Sequence, residues 1–222
     1  MDSVLVAASV AAESGQKVLE LGCGNGVALC CLLYRVSGLE VFGVEMDKRA
    51  ADLCKQNIDL NMFKASIFNI NIANTIRELK SVSFDHVFMN PPYFKQNSVK
   101  ESHILSSHQA RVESMPLSAW ISVAKNRCKP NGKITVIQRV ERLPDIIKCL
   151  DGYFGQVTVQ PISSFKDTSP KTIIVQATKS SGAAFKLLAP KIVHRRDGIS
   201  GEVVYEDEFK KILRYGHPLQ LN

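Results

Sequence analysis

The sequence has few aromatic residues and no long apolar run. Aromatic residues make up 7% of its 222 residues, and there is a single tryptophan. Apolar residues still account for 45% of the chain, which supports a buried core and excludes wholesale disorder. No run approaches the roughly 18 apolar residues of a membrane span, and Met1–Ala12 shows no basic leader. We therefore expect a globular, cytoplasmic protein without a membrane segment.

The cysteines do not show the spacing of a metal site or a disulfide framework. They form no Cys-x-x-Cys pair, and no histidine stands at ligand spacing from them. The six positions are Cys23, Cys30, Cys31, Cys54, Cys128 and Cys149. We expect reduced, buried cysteines and no bound metal.

Charge is in excess on the basic side. Lysine and arginine number 28 against 21 aspartates and glutamates, a formal net charge of +7. Such a surplus favours polyanionic partners, although many basic proteins bind none. Charge by itself therefore leaves the partner open.

Apolar strands alternate with amphipathic helices along most of the chain, which predicts a parallel sheet covered by helices on both faces. The last two strands, Gly155–Pro161 and Thr172–Ala177, have no helix between them and predict an antiparallel edge hairpin. The fold class is therefore α/β, a doubly wound, mostly parallel seven-stranded sheet. We expect one domain over 1–179 and a basic C-terminal extension, 180–222, packed on it. The other predicted strands are Val18–Leu21, Glu40–Val44, Ser66–Ile72, Phe84–Met89 and Lys133–Gln138.

A glycine-rich turn follows the first predicted strand. It reads Glu20-Leu21-Gly22-Cys23-Gly24-Asn25-Gly26, and Glu45 ends the next strand. Glycines at such a turn let the backbone approach a ligand closely, and a carboxylate at the end of the second strand accepts the hydroxyls of a ribose. The pattern indicates a nucleoside ligand. A tight turn without a ligand is the alternative.

The spacing of the turn favours S-adenosylmethionine over a dinucleotide. Dinucleotide-binding turns read Gly-x-Gly-x-x-Gly and face a pyrophosphate. Here the pattern is Gly-x-Gly-x-Gly, and Val27 stands where the third glycine or alanine is expected. The acid Glu20 beside the turn repels phosphate but suits an ammonium or sulfonium group.

A second motif, Asn90-Pro91-Pro92-Tyr93, directly follows the fourth strand. Two prolines end the strand and stiffen the backbone, because each fixes its own φ. The Asn90 side-chain oxygen and the Pro91 carbonyl are then placed to accept hydrogen bonds from a planar amino group, and Tyr93 offers a stacking face. A proline turn with tyrosine as cover is the alternative.

The order of these motifs resembles the class I S-adenosylmethionine-dependent methyltransferases over about Asp2–Thr178. The resemblance implies a Rossmann-like fold and S-adenosyl-L-methionine as cofactor. The Asn90–Tyr93 motif resembles that of enzymes methylating amino groups of adenine, guanine or glutamine, with Asn90, Pro91 and Tyr93 as the catalytic residues. The implied cofactor residues are Glu20, Gly22, Gly24, Gly26, Glu45, Asn71 and Asn90, with Asn71 at the position where the family carries an adenine-binding aspartate.

Softer motifs resemble the tRNA1(Val) adenine-N(6) methyltransferase family. These are Asp2–Ala8, Gln109–Glu113, Leu117–Trp120 and Leu187–Pro190. The resemblance implies methylation of an adenine amino group in RNA, with tRNA as partner. The implied substrate-binding residues are Pro92, Tyr93, Phe94, Lys95 and Arg111.

Basic residues downstream of the motif agree with an RNA partner. Those of the tail are candidate phosphate contacts, and solubility is the alternative role for any one of them. They are Lys191, His194, Arg195, Arg196, Lys210, Lys211 and Arg214.

Three interpretations remain open at the level of sequence. The chain is an RNA adenine methyltransferase, a protein glutamine-N5 methyltransferase, or a non-catalytic RNA-binding module that retains a nucleoside pocket. One residue also has two interpretations. Asp2 is expected to cap the first helix, Ser3–Ala11, and contact with the cofactor by analogy with the family is the alternative.

Overall fold

A twisted, mostly parallel sheet forms the middle layer of the molecule. The computed structural model describes residues 1–93, 115–198 and 200–221. Within them the sheet contains nine strands. They are β1 (Lys17–Leu21), β2 (Glu40–Glu45), β3 (Ser66–Asn69), β4 (Phe84–Met89), β5 (Cys128–Arg139), β6 (Phe154–Ser163), β7 (Thr172–Lys179), β8 (Lys186–Leu187) and β9 (Lys191–Ile192).

The strand order is β3-β2-β1-β4-β5-β7-β6-β8, with β9 also paired to β6. The strands β1 to β5 are mutually parallel where they pair, and β7 is antiparallel to both β5 and β6. The predicted α/β class, with a mostly parallel sheet and an antiparallel part, is therefore confirmed.

Helices cover both faces of the sheet. One apolar cluster contains residues of α5 and α6, and a second, on the other face, contains residues of α1, α2, α3 and α7. Because both faces are buried, the central strands are mostly apolar. The helices are α1 (Asp2–Ser9), α2 (Val27–Arg35), α3 (Lys48–Leu60), α4 (Thr75–Glu78), α5 (Leu117–Arg127), α6 (Leu143–Leu150) and α7 (Asp207–Tyr215).

Two element boundaries differ from the sequence prediction. The third strand ends at Asn69 rather than Ile72, because Ile72–Asn74 forms a short 3₁₀ turn. The predicted turn Lys129–Gly132 lies inside β5, where the pairing jumps from Phe84–Cys128 to His86–Lys133. The extra residues bulge out of the ladder, and Asn131 takes a positive φ of 61° there.

The tail packs against the sheet and the first helix. Two short strands, β8 and β9, pair in parallel with β6, so the β6–β7 hairpin is not the outermost part of the sheet. A separate ribbon forms from β10 (His194–Arg196) and β11 (Val203–Tyr205). The helix α7 buries Phe209 and Ile212, and the Leu219 N–H donates to the Ala8 carbonyl at 2.9 Å.

The cysteines are all free, and three of them are buried while three are half-buried. Across the described ranges, no group of three or more His, Cys, Asp or Glu side chains is placed to hold a metal ion. Within those same ranges, no helix has the length and apolarity to cross a bilayer.

The central strand β4 carries a fully buried histidine. His86 is 1% exposed, and its Nε2 shares a hydrogen bond with Thr135 Oγ1 at 2.7 Å. Burial, with smaller contributions from Lys133 and Arg35, lowers the pKa of His86 to about 3. The folded protein therefore holds this imidazole neutral across the physiological range.

Acidification from pH 7 to pH 5 is expected to destabilise the fold through His86. The unfolded chain takes up a proton below its ordinary pKa of about 6.5, whereas the folded chain does so only near 3. The stabilisation that the neutral His86 contributes is therefore present above about pH 6.5 and is lost as the pH falls below that value. The wild-type free energy of unfolding should drop about 2 kcal/mol more than that of His86→Gln in urea titrations. The control is His217→Gln, an exposed site; equal pH slopes for the wild type and His86→Gln would contradict the assignment.

Candidate active site

The carboxyl ends of three parallel strands meet at one edge of the sheet. Leu21 of β1 pairs with Val44 of β2 on one side and with Met89 of β4 on the other. The Gly22 and Cys23 N–H groups both donate to the Val44 carbonyl, at 2.8 and 3.0 Å. The structure therefore brings together the glycine turn, Glu45 and the Asn90 motif, although they are far apart in sequence.

The glycine turn adopts a backbone that other residues rarely adopt. Gly22, Gly24 and Gly26 have φ values of 71°, 52° and 85°. A Cβ at Gly22 would lie 2.7 Å from the Trp120 ring, and one at Gly26 would lie 2.7 Å from Cys54 Sγ. At these two positions glycine is required both by conformation and by space.

The carboxylate of Glu45 is held against this turn. Its Oε2 accepts from the Gly24 N–H at 2.9 Å, and its Oε1 accepts from the Asp47 N–H at 2.8 Å. Asp47 in turn caps α3 by accepting from the Ala50 N–H at 2.9 Å. Each carboxylate oxygen keeps a further acceptor position, which the hydroxyls of a ribose can use.

Glu20 is a buried acid beside the turn. It is 3% exposed, and its Oε2 has no hydrogen-bond partner among the described residues. Burial raises the pKa of Glu20 well above its usual range, and Cys54 and the nearby Glu45 raise it further. A buried carboxylate oxygen without a donor is costly, so the site suits a ligand that brings a positive charge and N–H groups.

Asn71 lies in the turn after β3 rather than at the end of a strand. Its Oδ1 accepts from the Ala73 N–H at 2.9 Å, and its Nδ2 lies 3.3 Å from Met46 Sδ. The side chain therefore caps the 3₁₀ turn. Its contact with an adenine stays a prediction.

The Asn-Pro-Pro-Tyr corner is anchored from below by a glutamine. Gln138 of β5 is fully buried, and its Nε2 donates to the carbonyls of Pro91 at 3.3 Å and Pro92 at 3.2 Å. Because β4 and β5 are parallel neighbours, the corner after β4 lies beside the end of β5. A carbonyl oxygen has two lone pairs, so the Pro91 carbonyl keeps a second acceptor position beside its bond from Gln138.

Tyr93 is tied to the start of α1. Its hydroxyl donates to the Asp2 carboxylate. Burial, followed by this hydrogen bond, raises the pKa of Tyr93 above its ordinary value, so the hydroxyl stays protonated. The expectation that Asp2 caps the first helix is wrong: Met1 is the N-cap, no side chain caps the helix, and Asp2 is its first residue. The carboxylate is engaged by Tyr93 instead.

Three of the sequence-predicted substrate residues, Phe94, Lys95 and Arg111, lie outside the described residues. In the tail, Lys191 forms an ion pair with Glu208 at 2.6 Å and is therefore partly neutralised.

Sequence reasoning missed three residues that shape the site. Gln138 holds the proline corner, and the ring of Trp120 forms a wall against Gly22. Asn69 donates from its Nδ2 to the carbonyls of Glu45 and Met46, both at 3.0 Å. A polar residue at the carboxyl end of an apolar strand was the available signal for Gln138 and Asn69. The motif Leu117–Trp120 drew attention to the segment, but nothing in the sequence indicated that the Trp120 ring contacts Gly22.

Comparison with known proteins identifies the family. The model of the methyltransferase small domain matches residues 2–164. The chain belongs to the methyltransferase small domain family. The expected class of S-adenosylmethionine-dependent methyltransferases is thereby confirmed.

Two curated relatives are similar to this chain at low identity. Both are named tRNA1(Val) (adenine(37)-N6)-methyltransferase. The protein of Shewanella halifaxensis is 25% identical over 154 residues, which cover 68% of this chain and 62% of the relative. The protein of Haemophilus influenzae is 26% identical over 139 residues, which cover 61% of this chain and 59% of the relative. The matched region thus spans about three fifths of either relative.

Two solved structures share the fold. One, from Agrobacterium tumefaciens and described as a predicted O-methyltransferase, has a TM-score of 0.79 at 21% identity and covers 99% of this chain and 98% of its own. Another is a Thermus thermophilus 16S rRNA N2 G1207 methyltransferase in complex with AdoMet and guanosine. It has a TM-score of 0.51 at 24% identity and covers 75% of this chain and 38% of its own. At these identities the likeness shows the fold.

The residues at this edge fit S-adenosylmethionine, the methyl donor expected for this family. The glycine turn leaves no Cβ in the way, Glu45 presents acceptor positions, and Glu20 offers a buried oxygen, Oε2, that has no donor among the described residues. These are the features that a ribose and a cationic amino acid moiety require. Which residue contacts which part of the donor stays a prediction.

Glu20→Gln is expected to separate ligand affinity from stability. Removal of the buried acid should raise the midpoint of thermal unfolding. The gain should be larger at pH 8 than at pH 5, because a group whose folded pKa is raised loses stability as the pH rises. Affinity for S-adenosylmethionine should fall about 10- to 100-fold, the loss of one charge-assisted hydrogen bond.

Calorimetric titration and thermal scans on the same samples measure both effects. Glu13→Gln, an exposed acid away from the turn, is the control. Unchanged affinity in Glu20→Gln would refute contact between this carboxylate and the donor.

Asp2 and Tyr93 are expected to be energetically coupled. Asp2→Ala and Tyr93→Phe each remove the same hydrogen bond, so the double variant should be less destabilised than the sum of the two. We expect a coupling free energy of about 1 kcal/mol in urea unfolding. Asp2→Asn keeps an acceptor oxygen and should therefore retain most of the free energy of unfolding that Asp2→Ala loses. Strict additivity would show that the contact contributes nothing in solution.

Proposed function

We propose that this protein transfers a methyl group from S-adenosylmethionine to the exocyclic amino group of an adenine in RNA, with tRNA as the RNA. The observation that carries the proposal is the placement of the Asn90–Tyr93 corner beside the glycine turn. The two are joined through the pairing of Met89 with Leu21. An amino group held at that corner lies next to the pocket proposed for the donor.

The corner supplies two acceptors for one planar amino group. The Asn90 side-chain oxygen accepts one hydrogen, and the free acceptor position of the Pro91 carbonyl accepts the other. Gln138 keeps that carbonyl in place through its own hydrogen bond at 3.3 Å. Two acceptors that draw the amino hydrogens to one side free the nitrogen lone pair, so no general base is needed before transfer. The nitrogen–methyl bond would form as the methyl–sulfur bond breaks, and the methylated nitrogen would then lose one proton to water.

The remaining residues orient the reactants. S-adenosylmethionine, when bound, supplies an electrophilic methyl group on a sulfonium. Glu45 and the turn Gly22–Gly26 would hold its ribose and amino acid part, Glu20 would face its ammonium group, and Asn71 would accept from its adenine. Tyr93, fixed by Asp2, would present its ring to the target base. Positioning of this kind contributes on the order of 7–11 kcal/mol to catalysis.

The comparisons support RNA as the acceptor. The curated relatives are named for adenine 37 of tRNA1(Val), and one solved neighbour is named for a guanine of 16S rRNA. All three names describe methylation of an amino group on a base, which is the chemistry that the corner suits. The formal net charge of +7 agrees with a polyanionic substrate.

The test is transfer of labelled methyl to unmodified tRNA. Purified protein, labelled S-adenosylmethionine and a tRNA pool transcribed in vitro are incubated, and the RNA is digested to nucleosides. N(6)-methyladenosine is the expected product. Its absence with folded protein that binds S-adenosylmethionine would overturn the proposal. Methylated glutamine in a protein acceptor would instead indicate a protein glutamine-N5 methyltransferase.

Asn90→Ala is expected to lower turnover by about 10²–10³ while leaving affinity for S-adenosylmethionine nearly unchanged, as for loss of one positioned polar group. The readouts are kcat on tRNA and the dissociation constant of the donor. Asn126→Ala, which removes an exposed asparagine bonded to its own helix at Ser122, is the matched control and should keep full turnover. A parallel loss of donor affinity in Asn90→Ala would contradict the assigned role.

A further inference from the structure

Three aromatic rings stack in the C-terminal part of the chain. The ring centroids of Phe165 and His194 are 5.6 Å apart, and those of His194 and Tyr205 are 4.9 Å apart. The planes are tilted by 37° and 31°. His194 and Tyr205 face each other because β10 and β11 pair them directly. Tyr205 remains 38% exposed, so the ring is accessible to a ligand.

Basic side chains line a cavity beside this stack, and the third ring, Tyr205, lies next to the lining residues His194 and Glu206. Lys166, Arg195 and Arg196 are all exposed and line the same cavity of about 420 Å³ as Phe165 and His194. Two acids, Asp167 and Glu206, also line it, and Glu206 lies 3.7 Å from Arg195. Three cations against two acids leave the pocket net positive.

The cavity lies on the same edge of the sheet as the proline corner. Arg139 at the end of β5 pairs with Thr172 of β7, Thr172 with Ile162 of β6, and Ile162 with Lys191 of β9. This row runs away from β4 by three to four strand spacings, or about 14–19 Å. A single strand of RNA with stacked bases covers that distance in four to six nucleotides, at about 3.4 Å each.

We propose that this aromatic and basic pocket is a second RNA-binding site, which holds a single-stranded segment several nucleotides from the adenine being methylated. The rings stack on bases, and the lysine and arginines contact phosphates. This combination is how proteins bind single strands without reading sequence. The inference rests on the proposed function, because that function supplies the RNA.

Binding of a fluorescein-labelled 12-nucleotide RNA of alternating cytidine and adenosine, measured by anisotropy, tests the pocket. Tyr205→Ala and Phe165→Ala should each weaken binding roughly 5- to 100-fold through loss of one stacked base. Tyr205→Phe keeps the ring and should bind like the wild type. Arg195→Gln/Arg196→Gln should lower the slope of log affinity against log salt by about 1.4, or about 0.7 per phosphate.

Matched controls lie away from this edge. Tyr153→Ala removes an exposed tyrosine before the start of β6, at the opposite edge of the sheet. Lys55→Gln/Lys64→Gln removes two exposed lysines near β3. Both controls should leave binding and salt slope unchanged. Circular dichroism and thermal scans establish that every variant folds.

The outcomes separate this inference from the proposed function. Wild-type affinity in Tyr205→Ala and Phe165→Ala overturns the inference even when the wild type methylates tRNA. Loss of RNA binding in these variants supports the pocket even when N(6)-methyladenosine is not formed. Equal weakening of RNA and of polyglutamate by the arginine variant, without an effect of Tyr205→Ala, would indicate a nonspecific cationic surface and overturn the inference. With tRNA, the ring variants should raise KM several-fold and leave kcat within about twofold.

Discussion

Parallel pairing of β1 with both β2 and β4 is the interaction on which the candidate site depends. It places three loops from distant parts of the chain at one edge, where Glu45 reaches the glycine turn and the proline corner lies beside it. A slip of one residue in either ladder would turn every side chain of that strand to the other face. Both faces are buried against helices, so the register is firmly set and the site geometry follows from it.

The same edge holds polar groups that the fold leaves unsatisfied. Glu20 Oε2 and Trp120 Nε1 are buried without partners among the described residues, and both residues lie close to the glycine turn. Each such group costs about 1–3 kcal/mol in a folded chain. A chain that was optimised for stability would replace them, so their presence at this turn agrees with a ligand that satisfies them.

The sequence predicted those parts of the fold and the site that depend on short stretches. Alternating strands and helices, the turn Gly22–Gly26 and the corner Asn90–Tyr93 are local patterns, and their positions on the sheet follow from the rule that loops after parallel strands share one edge. Contacts across long separations were not predictable. The carboxylate of Asp2 meets Tyr93, and Gln138 meets the prolines, only after helices and strands pack.

The same limit explains the error at Asp2. An acid before an apolar helical run is a common cap signal. Sequence does not show that the helix begins one residue earlier, or that a tyrosine hydroxyl arrives from a loop elsewhere in the chain. When a side chain can bond either to a group nearby in sequence or to a distant one, tertiary packing determines which bond forms.

The short strands β8 and β9 give the tail a protective role. They occupy the outer side of β6, whose N–H and C=O groups would otherwise form an open sheet edge. A chain cut after β7 would expose this edge as a template for pairing with other copies. Self-association is therefore the expected fate of such a truncation, even where all residues that line the glycine turn and the proline corner are retained.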